Sequence, residues 1–407
     1  MFFSRIYFPL ALGYAVSYFY RNINAIIEGD LVRELALGPG DLGLLTSVYF
    51  ISFATFQIPL GILLDRYGPR RTECLLMLFA ALGAVIFSQS ESFLGLIIGR
   101  LLIGLGVSAC LMGAFKAYVL WFPSERLALI NGLQMIAGGI GALLATIPLQ
   151  NSLLYFDWRS IFIGLSIVTL ATSICIWIFL PEKNVSNTNR PSLSFQFLEL
   201  RQVFKSKIFQ KVAPLASISQ GTILALHGLW IKPWLRDFFE MDEDKSAKLL
   251  FIMSVSYIFG FLILGVIAER LFNKYTINPI QTGVFGMMIF IILQIVMVFG
   301  YLFNPLFIVI LLGFFGTSSV LVYAGYAQLF SKNLSGRVTT IQNLLVFLSA
   351  FFLQWGIGEI IQLWPSVGGR YDSESYQVAL GSLVIIQILV LVYYFVSYKQ
   401  ESSERIY

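Results

Sequence analysis

GILLDRYGPRR, residues 61–71 of this 407-residue chain, joins two apolar runs at 42–64 and 72–90. Each run is close to the length of about 20 residues that a helix needs to cross a bilayer. The segment combines two glycines, one carboxylate and three arginines, which are Gly61, Gly68, Asp65, Arg66, Arg70 and Arg71. A basic loop on the cytoplasmic side of a membrane explains the arginines. It does not explain an acid and two glycines at these spacings, so the segment indicates a specific motif.

The composition of the chain is that of a membrane protein. Hydrophobic residues make up 57% and charged residues 12%, against about 25% charged residues in soluble domains. Apolar runs of about 18 residues or more recur along the whole chain, which argues against a soluble enzyme. Cys74, Cys110 and Cys175 lie inside apolar runs and predict no disulfide framework.

The apolar runs predict an all-α membrane protein with twelve transmembrane helices in two pseudo-symmetric six-helix bundles. The first six predicted spans are 6–28, 42–64, 72–90, 93–120, 127–150 and 159–180. The second six are 212–236, 246–268, 278–301, 304–330, 337–363 and 376–398. A polar segment at 181–211 is predicted to be a cytoplasmic linker. It separates an N-terminal bundle at 1–180 from a C-terminal bundle with a short cytoplasmic tail at 212–407.

The placement of lysine and arginine predicts the orientation. With both termini in the cytoplasm, most bases outside the spans fall on the cytoplasmic side, as the positive-inside rule requires. That side receives the 61–71 segment and the linker, whereas the other side receives few bases, such as Arg159 and Arg370. We therefore expect both termini to be cytoplasmic.

The 61–71 segment resembles the loop between the second and third helices of the major facilitator superfamily of transporters. GRLLIGLG at 99–106 is similar to the family's arginine-and-glycine pattern in helix 4, and residues 116–123 look like a bacterial subgroup of organic-anion and metabolite permeases. The helix 5 pattern of antiporters is not cleanly present, because Pro148 lies too far along the chain. The resemblance covers nearly the whole chain. It implies a secondary transporter whose halves alternate the access to a central site.

The resemblance implies that the 61–71 motif is a gate latch, which we call the gating motif. Its first glycine would allow close helix approach, and its second a tight turn. Asp65 is expected to cap the N-terminus of span 11, where amide donors and the helix dipole favour an anion. Arg66 or Arg70 is expected to pair with Glu125, which opens span 5.

Four bases lie within predicted spans, where insertion is costly and points to function. Arg21 and Arg100 belong to spans 1 and 4, which line the central cavity in the family, so we expect them to bind a carboxylate or phosphate. Alternatively, Arg21 pairs with Glu28, while Lys116 and Lys232 extend to the two membrane surfaces. The first half shows bases but no acid near the middle of the membrane, which favours an anionic substrate.

Aromatic and amide side chains are expected to complete the site. Candidates on spans 1, 7, 10 and 11 are Tyr14, Tyr18, Tyr20, Trp230, Tyr323, Tyr326, Asn343, Gln354 and Trp355. Most such residues in a membrane protein serve packing or the interface. The predicted substrate-binding set is Arg21, Arg100, Tyr18, Trp230, Tyr323, Asn343 and Gln354.

Proton coupling is one option, and its candidate residues are Glu28, His227 and Glu359. His227 is the only histidine and titrates in a suitable range, although a hydrogen-bonded structural histidine explains it too. Glu359 faces either the cavity or the solvent at a helix end. With one histidine and no grouping of cysteine and histidine, no metal site is expected.

The predicted function is secondary active transport of a small anionic solute across the bacterial inner membrane, as in a symporter. Candidate solutes are a carboxylate metabolite, an amino acid or a polycarboxylate siderophore. The alternative is a proton-coupled exporter of drugs or amphipathic compounds, whose cavity should be apolar with a buried acid. No enzyme motif or nucleotide-binding loop is present, so neither an enzyme nor a cofactor is expected. We expect a monomer that contacts lipid and substrate but no nucleic acid.

Overall fold

The computed structural model describes residues 2–182, 201–299, 304–366 and 370–404, most of them in helices. In the first half the helices are α1 (Phe2–Asn22), α2 (Asn24–Leu35), α3 (Pro39–Gln89), α4 (Phe93–Gly106), α5 (Ala109–Trp121), α6 (Ser124–Leu144), α7 (Ile147–Ser152) and α8 (Trp158–Phe179). In the second half they are α9 (Lys207–Ala225), α10 (Ile231–Phe238), α11 (Glu243–Tyr275), α12 (Pro279–Val298), α13 (Pro305–Gly316), α14 (Leu321–Leu329), α15 (Lys332–Ile361) and α16 (Ser373–Glu404). A π-helical segment, Leu226–Trp230, joins α9 to α10, and a 3₁₀ turn, Ser318–Val320, precedes α14.

The described residues form two compact units. The first unit holds residues 2–182 together with 243–251, and the second unit holds 201–242 together with 252–404. The division falls within the predicted linker at 181–211. The second unit's first long helix, α9, begins at Lys207, slightly before the predicted boundary.

Ten helical segments of the described residues are long and apolar enough to cross a membrane. They coincide with ten of the twelve predicted spans. The predicted spans 6–28 and 42–64 fall on α1 with α2 and on the first part of α3. The prediction of an all-α membrane fold is therefore confirmed.

Several predicted spans are interrupted. Span 1 breaks at Ile23 and continues as α2 to Leu35, well past the predicted end at 28. Spans 4, 5 and 10 are each divided into two helices by short breaks. Hydropathy averaged over a window of spanning length does not report such breaks, because each break is only one to four residues long.

Spans 2 and 3 belong to α3, which bends at the gating motif. Gly68 has φ of 76°, in the left-handed region, so the predicted turn at this glycine is confirmed. The predicted close approach at Gly61 is absent, because a Cβ added there would meet open space. Close approach occurs instead between α3 and α4, where a Cβ on Gly99 would stand 2.9 Å from the carbonyl oxygen of Gly83.

Candidate functional site

Arg21 lies in the last turn of α1 and is 6% exposed. Its guanidinium carbon stands 4.3 Å from the ring centroid of Tyr18, one turn earlier on the same helix. It also stands 5.9 Å from the ring centroid of Tyr49 and 5.8 Å from that of Phe53, both on α3. The arginine is thus held in an aromatic cluster, whose ring faces attract a cation.

Arg100 lies on α4 inside the first unit, with no exposed surface. Its Nη1 donates a hydrogen bond of 2.7 Å to the carbonyl oxygen of Tyr20, in the last turn of α1. The guanidinium carbon stands 5.0 Å from the ring centroid of Phe87 and 5.6 Å from that of Phe162. Among the described residues, its Nε and Nη2 have no hydrogen-bond partner. Arg100 therefore caps the helix end that carries Arg21, where the partial negative charge favours a cation.

Tyr49 connects the two arginines and was not among the predicted site residues. Both guanidinium groups lie within electrostatic range of its hydroxyl group. The hydroxyl also donates to the carbonyl oxygen of Ser17, at 3.2 Å, which ties α3 to α1. Nothing in the sequence distinguishes Tyr49 from the other 18 of the 19 tyrosines.

The first unit also holds a buried acid. Glu73 lies on α3, within predicted span 3, and is 0% exposed. Glu73 was not among the ionisable residues predicted within the spans, and the expectation that no acid of the first half lies near the middle of the membrane stays a prediction. Glu73 lies two residues after Arg71, the last arginine of the gating motif, so its sequence position suggests a charged loop. Its position at the start of an apolar run was the sequence feature that could have indicated a buried acid.

The gating motif makes ion pairs within the first unit, and the predicted contact of Asp65 with the N-terminus of span 11 stays a prediction. Asp65 accepts from the Lys116 ammonium of α5. Arg71 pairs with Glu182 at 2.5 Å, and Arg70 lies 3.8 Å from the same carboxylate. The predicted pairing with Glu125 lies outside the described residues.

Two further bases of the predicted set lie elsewhere. Arg66 is exposed, with its guanidinium carbon 5.3 Å from the ring centroid of Tyr67. Lys232 is 1% exposed within α10, so it does not extend to a solvent-facing surface as one alternative proposed.

In the second unit the structure brings Trp230 and Gln354 together. The indole Nε1 of Trp230 donates to the backbone carbonyl oxygen of Gln354 at 2.9 Å. The side-chain amide of Gln354 is fully buried, and neither its nitrogen nor its oxygen has a partner among the described residues. Trp230 ends the π-helical segment, a feature that often marks functional positions.

His227 lies in the same π-helical segment. Its Nε2 and the Ser254 hydroxyl are 2.8 Å apart, and its ring stacks on Tyr257 with centroids 5.5 Å apart. These contacts match the hydrogen-bonded structural histidine that was the alternative to proton coupling.

The remaining predicted residues are spread over both units. Tyr323 and Asn343 are half-buried on α14 and α15. Glu359 is exposed and accepts from Trp355 Nε1 at 2.8 Å, whereas Glu28 is buried within α2. Among the described residues, no group of three His, Cys, Asp or Glu side chains could hold a metal ion.

Comparison with known proteins identifies the family. The model of the Major Facilitator Superfamily matches residues 10–353. The probable sulfoacetate transporter SauU of Cupriavidus necator is 22% identical over 65% of this chain and 64% of its own length. The quinolone resistance transporter of Acinetobacter baumannii is 22% identical over 65% of this chain and 66% of its own length. The matches therefore span just under two thirds of each relative.

A solved structure supports the same fold. The bacterial homologue of the human lysosomal transporter Spinster, in an inward-facing and occupied conformation, has a TM-score of 0.77 and 15% identity. The comparison covers 97% of both chains.

Proposed function

The chain belongs to the major facilitator superfamily, and we propose that it moves a small organic anion across the bacterial inner membrane by alternating access. Its similarity to a probable sulfoacetate transporter supports an anionic solute. Both termini are proposed to be cytoplasmic, as the arginine and lysine distribution indicates. The protein is proposed to act as a monomer embedded in lipid.

The observation that carries the proposal is the arrangement of Arg21 and Arg100 around Tyr49. Two guanidinium groups are buried within one unit, and each favours an anion beside it. Arg21 binds the carboxylate or sulfonate of the solute through two parallel hydrogen bonds, which its planar group favours over a lysine. Tyr18, half-buried against it, supplies an aromatic face and a hydroxyl.

Arg100 acts as a positioning residue in this proposal. Its hydrogen bond to the Tyr20 carbonyl holds the end of α1, and Arg21 is the next residue along the chain. Loss of Arg100 therefore moves Arg21 even where the solute never touches Arg100. The Nε and Nη2 of Arg100 have no hydrogen-bond partner among the described residues, so they stabilise the fold through no hydrogen bond. They still add positive electrostatic potential beside Arg21.

In the second unit, Gln354 is the polar group that we assign to solute binding, with Trp230 as its support. A buried amide without a partner costs about 1–3 kcal/mol, and a bound polar ligand would remove that cost. Tyr323 and Asn343 remain candidates on the same unit.

A thermal-shift screen of the purified protein against organic anions tests the proposal. A ligand that binds only the native state raises the apparent stability by mass action. Carboxylates, sulfonates such as sulfoacetate, and citrate-type siderophores are expected to raise Tm. Stabilisation by lipophilic cations alone would contradict an anion site.

A second candidate function is proton-coupled export of amphipathic compounds. Two observations favour it: the buried acid Glu73 and the similarity to a quinolone resistance transporter. A fluoroquinolone such as norfloxacin in the same screen separates the two functions. Export would be supported by two results together. The wild type would respond to the quinolone but to no organic anion, and Arg21→Ala would keep the quinolone response.

A further inference from the structure

Glu73 is a buried acid that the proposed anion site does not use. It lies in the part of α3 that follows the Gly68 bend, inside a segment able to span a membrane. The side chain is 0% exposed. Among the described residues, neither Oε1 nor Oε2 has a hydrogen-bond partner.

Two glycines on neighbouring helices leave room for this carboxyl group. A Cβ on Gly13 of α1 would stand 3.0 Å from Oε1, and a Cβ on Gly113 of α5 would stand 2.7 Å from Oε2. The same position on Gly13 would be 3.5 Å from Met77 Sδ and 3.8 Å from Cys110 Sγ. The carboxyl is therefore enclosed by α1, α3 and α5, in a pocket that a side chain at either glycine would fill.

Two titratable groups of α5, the Cys110 thiol and the Tyr118 hydroxyl, lie within electrostatic range of the Glu73 carboxyl. From α1, Gly13 faces the carboxyl, and Tyr7 and Arg21 lie within electrostatic range of Tyr118 and Cys110, respectively. Tyr118 donates to the Gln134 side chain of α6 at 2.6 Å, so its proton is already engaged. Among the described residues, no cationic side chain donates a hydrogen bond to the Glu73 carboxyl.

The protonation state of the buried Glu73 carboxyl follows from comparing the free-energy costs of its charged and neutral forms. An ionised carboxylate buried without a partner costs several kcal/mol, whereas a neutral acid without hydrogen bonds costs about 1–3 kcal/mol. The enclosed form is therefore the uncharged carboxylic acid. An apolar side chain of similar size would avoid both costs, so stability does not explain a glutamate here.

We propose that Glu73 is the proton-binding site of the first unit. It holds one proton while enclosed and releases it when water enters the pocket during the transport cycle. In the release step the O–H bond breaks, the electron pair stays on the carboxylate, and the proton passes to water. The inference rests on the proposed transport function, for which it names the proton as coupling ion.

Infrared difference spectroscopy of the purified protein in lipid, titrated with pH, tests the site without any solute. We expect a C=O band of a protonated carboxylic acid that shifts in D₂O, disappears at alkaline pH and is absent from Glu73→Gln. Glu91→Gln is the matched control, because Glu91 is exposed between α3 and α4, and it should keep the band. A wild-type spectrum without the band, or with a band that never titrates, would overturn the proposal.

Glu73→Asp covers the case in which Glu73→Gln does not fold. It keeps an acid in a shorter side chain and is expected to move the band without removing it. A band that stays at the wild-type position in Glu73→Asp belongs to another residue and sinks the assignment.

Proteoliposomes with sulfoacetate as probe add the coupling test. Glu73→Gln should lose accumulation driven by a pH gradient but keep exchange of internal for external sulfoacetate, since exchange needs no net proton movement. Gradient-driven accumulation at the wild-type level would count against the proposal. If wild-type protein fails to move sulfoacetate, that bears on the proposed substrate, and the infrared titration still decides the proton site.

Discussion

The Lys116 ammonium on α5 donates a hydrogen bond to the Asp65 carboxylate of the gating motif. Lys116 was expected, as one alternative, to extend to the membrane surface, and Asp65 was expected to cap the N-terminus of span 11. The structure thus gives Asp65 a partner within the first unit, and the latch role of the gating motif stays a prediction that this pair makes testable.

The first prediction concerns this pair. Its side chains are 24% and 49% exposed, so the pair contributes less than about 1 kcal/mol to the free energy of unfolding. Asp65→Asn and Lys116→Met should each insert and fold normally, yet lower solute uptake in proteoliposomes. Lys248→Met breaks the exposed Lys248–Asp244 pair of the same unit and serves as control with unchanged uptake. Normal uptake by Asp65→Asn would refute a latch role.

The second prediction concerns the role of Arg21 in anion binding. Arg21→Ala should abolish the Tm increase caused by an organic anion. Arg21→Lys should restore only part of it, because an ammonium group lacks the two-point geometry of guanidinium. Arg33→Ala changes an exposed arginine on α2 and should leave the anion response intact. An undiminished response in Arg21→Ala would place the site elsewhere.

The third prediction separates positioning from contact at Arg100. Arg100→Met fills a similar volume but loses the hydrogen bond to the Tyr20 carbonyl oxygen. It also removes two buried donors that have no partner among the described residues, which offsets part of that loss. The free energy of unfolding should therefore fall by about 1 kcal/mol or less. Arg100→Ala also leaves a cavity and should cost roughly 2–5 kcal/mol. Both variants should weaken anion affinity, and titration of the thermal shift against ligand concentration measures this. A wild-type affinity in Arg100→Met would remove the positioning role.

The fourth prediction is a pH dependence outside the membrane spans. Glu34, near the end of α2, accepts hydrogen bonds from Arg159 and Trp158 at the start of α8, and the Arg159 bond holds the pKa of Glu34 below its usual value. A lowered folded-state pKa stabilises the protein above the unfolded pKa, and this stabilisation is lost as pH falls through the folded pKa. Glu34→Gln should therefore lower Tm at neutral pH, by a small amount because the pair is partly exposed.

The Tm difference between wild type and Glu34→Gln should vanish at acidic pH, where Glu34 itself is protonated. Glu374→Gln removes an exposed acid at the start of α16 and is the control for the loss of one surface charge. A difference that persists unchanged into acid would mean that the Glu34–Arg159 pair does not carry the effect.

The sequence predicted the membrane fold well because hydropathy reports which residues lie in lipid or in a core. It also singled out Arg21 and Arg100, which are buried, and the turn at Gly68, because bases within apolar runs and glycines within motifs are conspicuous. The sequence could not predict which side chains of different helices contact each other, because these contacts depend on how each helix is rotated about its axis. Tyr49 between the arginines and Lys116 on Asp65 are examples of such contacts.

Glu73 illustrates a different limit. Its helix was predicted, but its burial depends on where the Gly68 bend directs the second part of α3. The glycines that enclose it, Gly13 and Gly113, lie about 60 and 40 residues away along the chain, so no local pattern connects them.

Uptake of radiolabelled sulfoacetate into proteoliposomes tests the central claim most directly, with wild type, Arg21→Ala and Arg33→Ala compared side by side. Competition by unlabelled carboxylates, sulfonates and norfloxacin defines the preferred solute class. The account predicts saturable uptake by wild type and Arg33→Ala, competition by organic anions only, and loss of uptake in Arg21→Ala. Uptake that is unaffected by every organic anion, or that persists in Arg21→Ala, would contradict it.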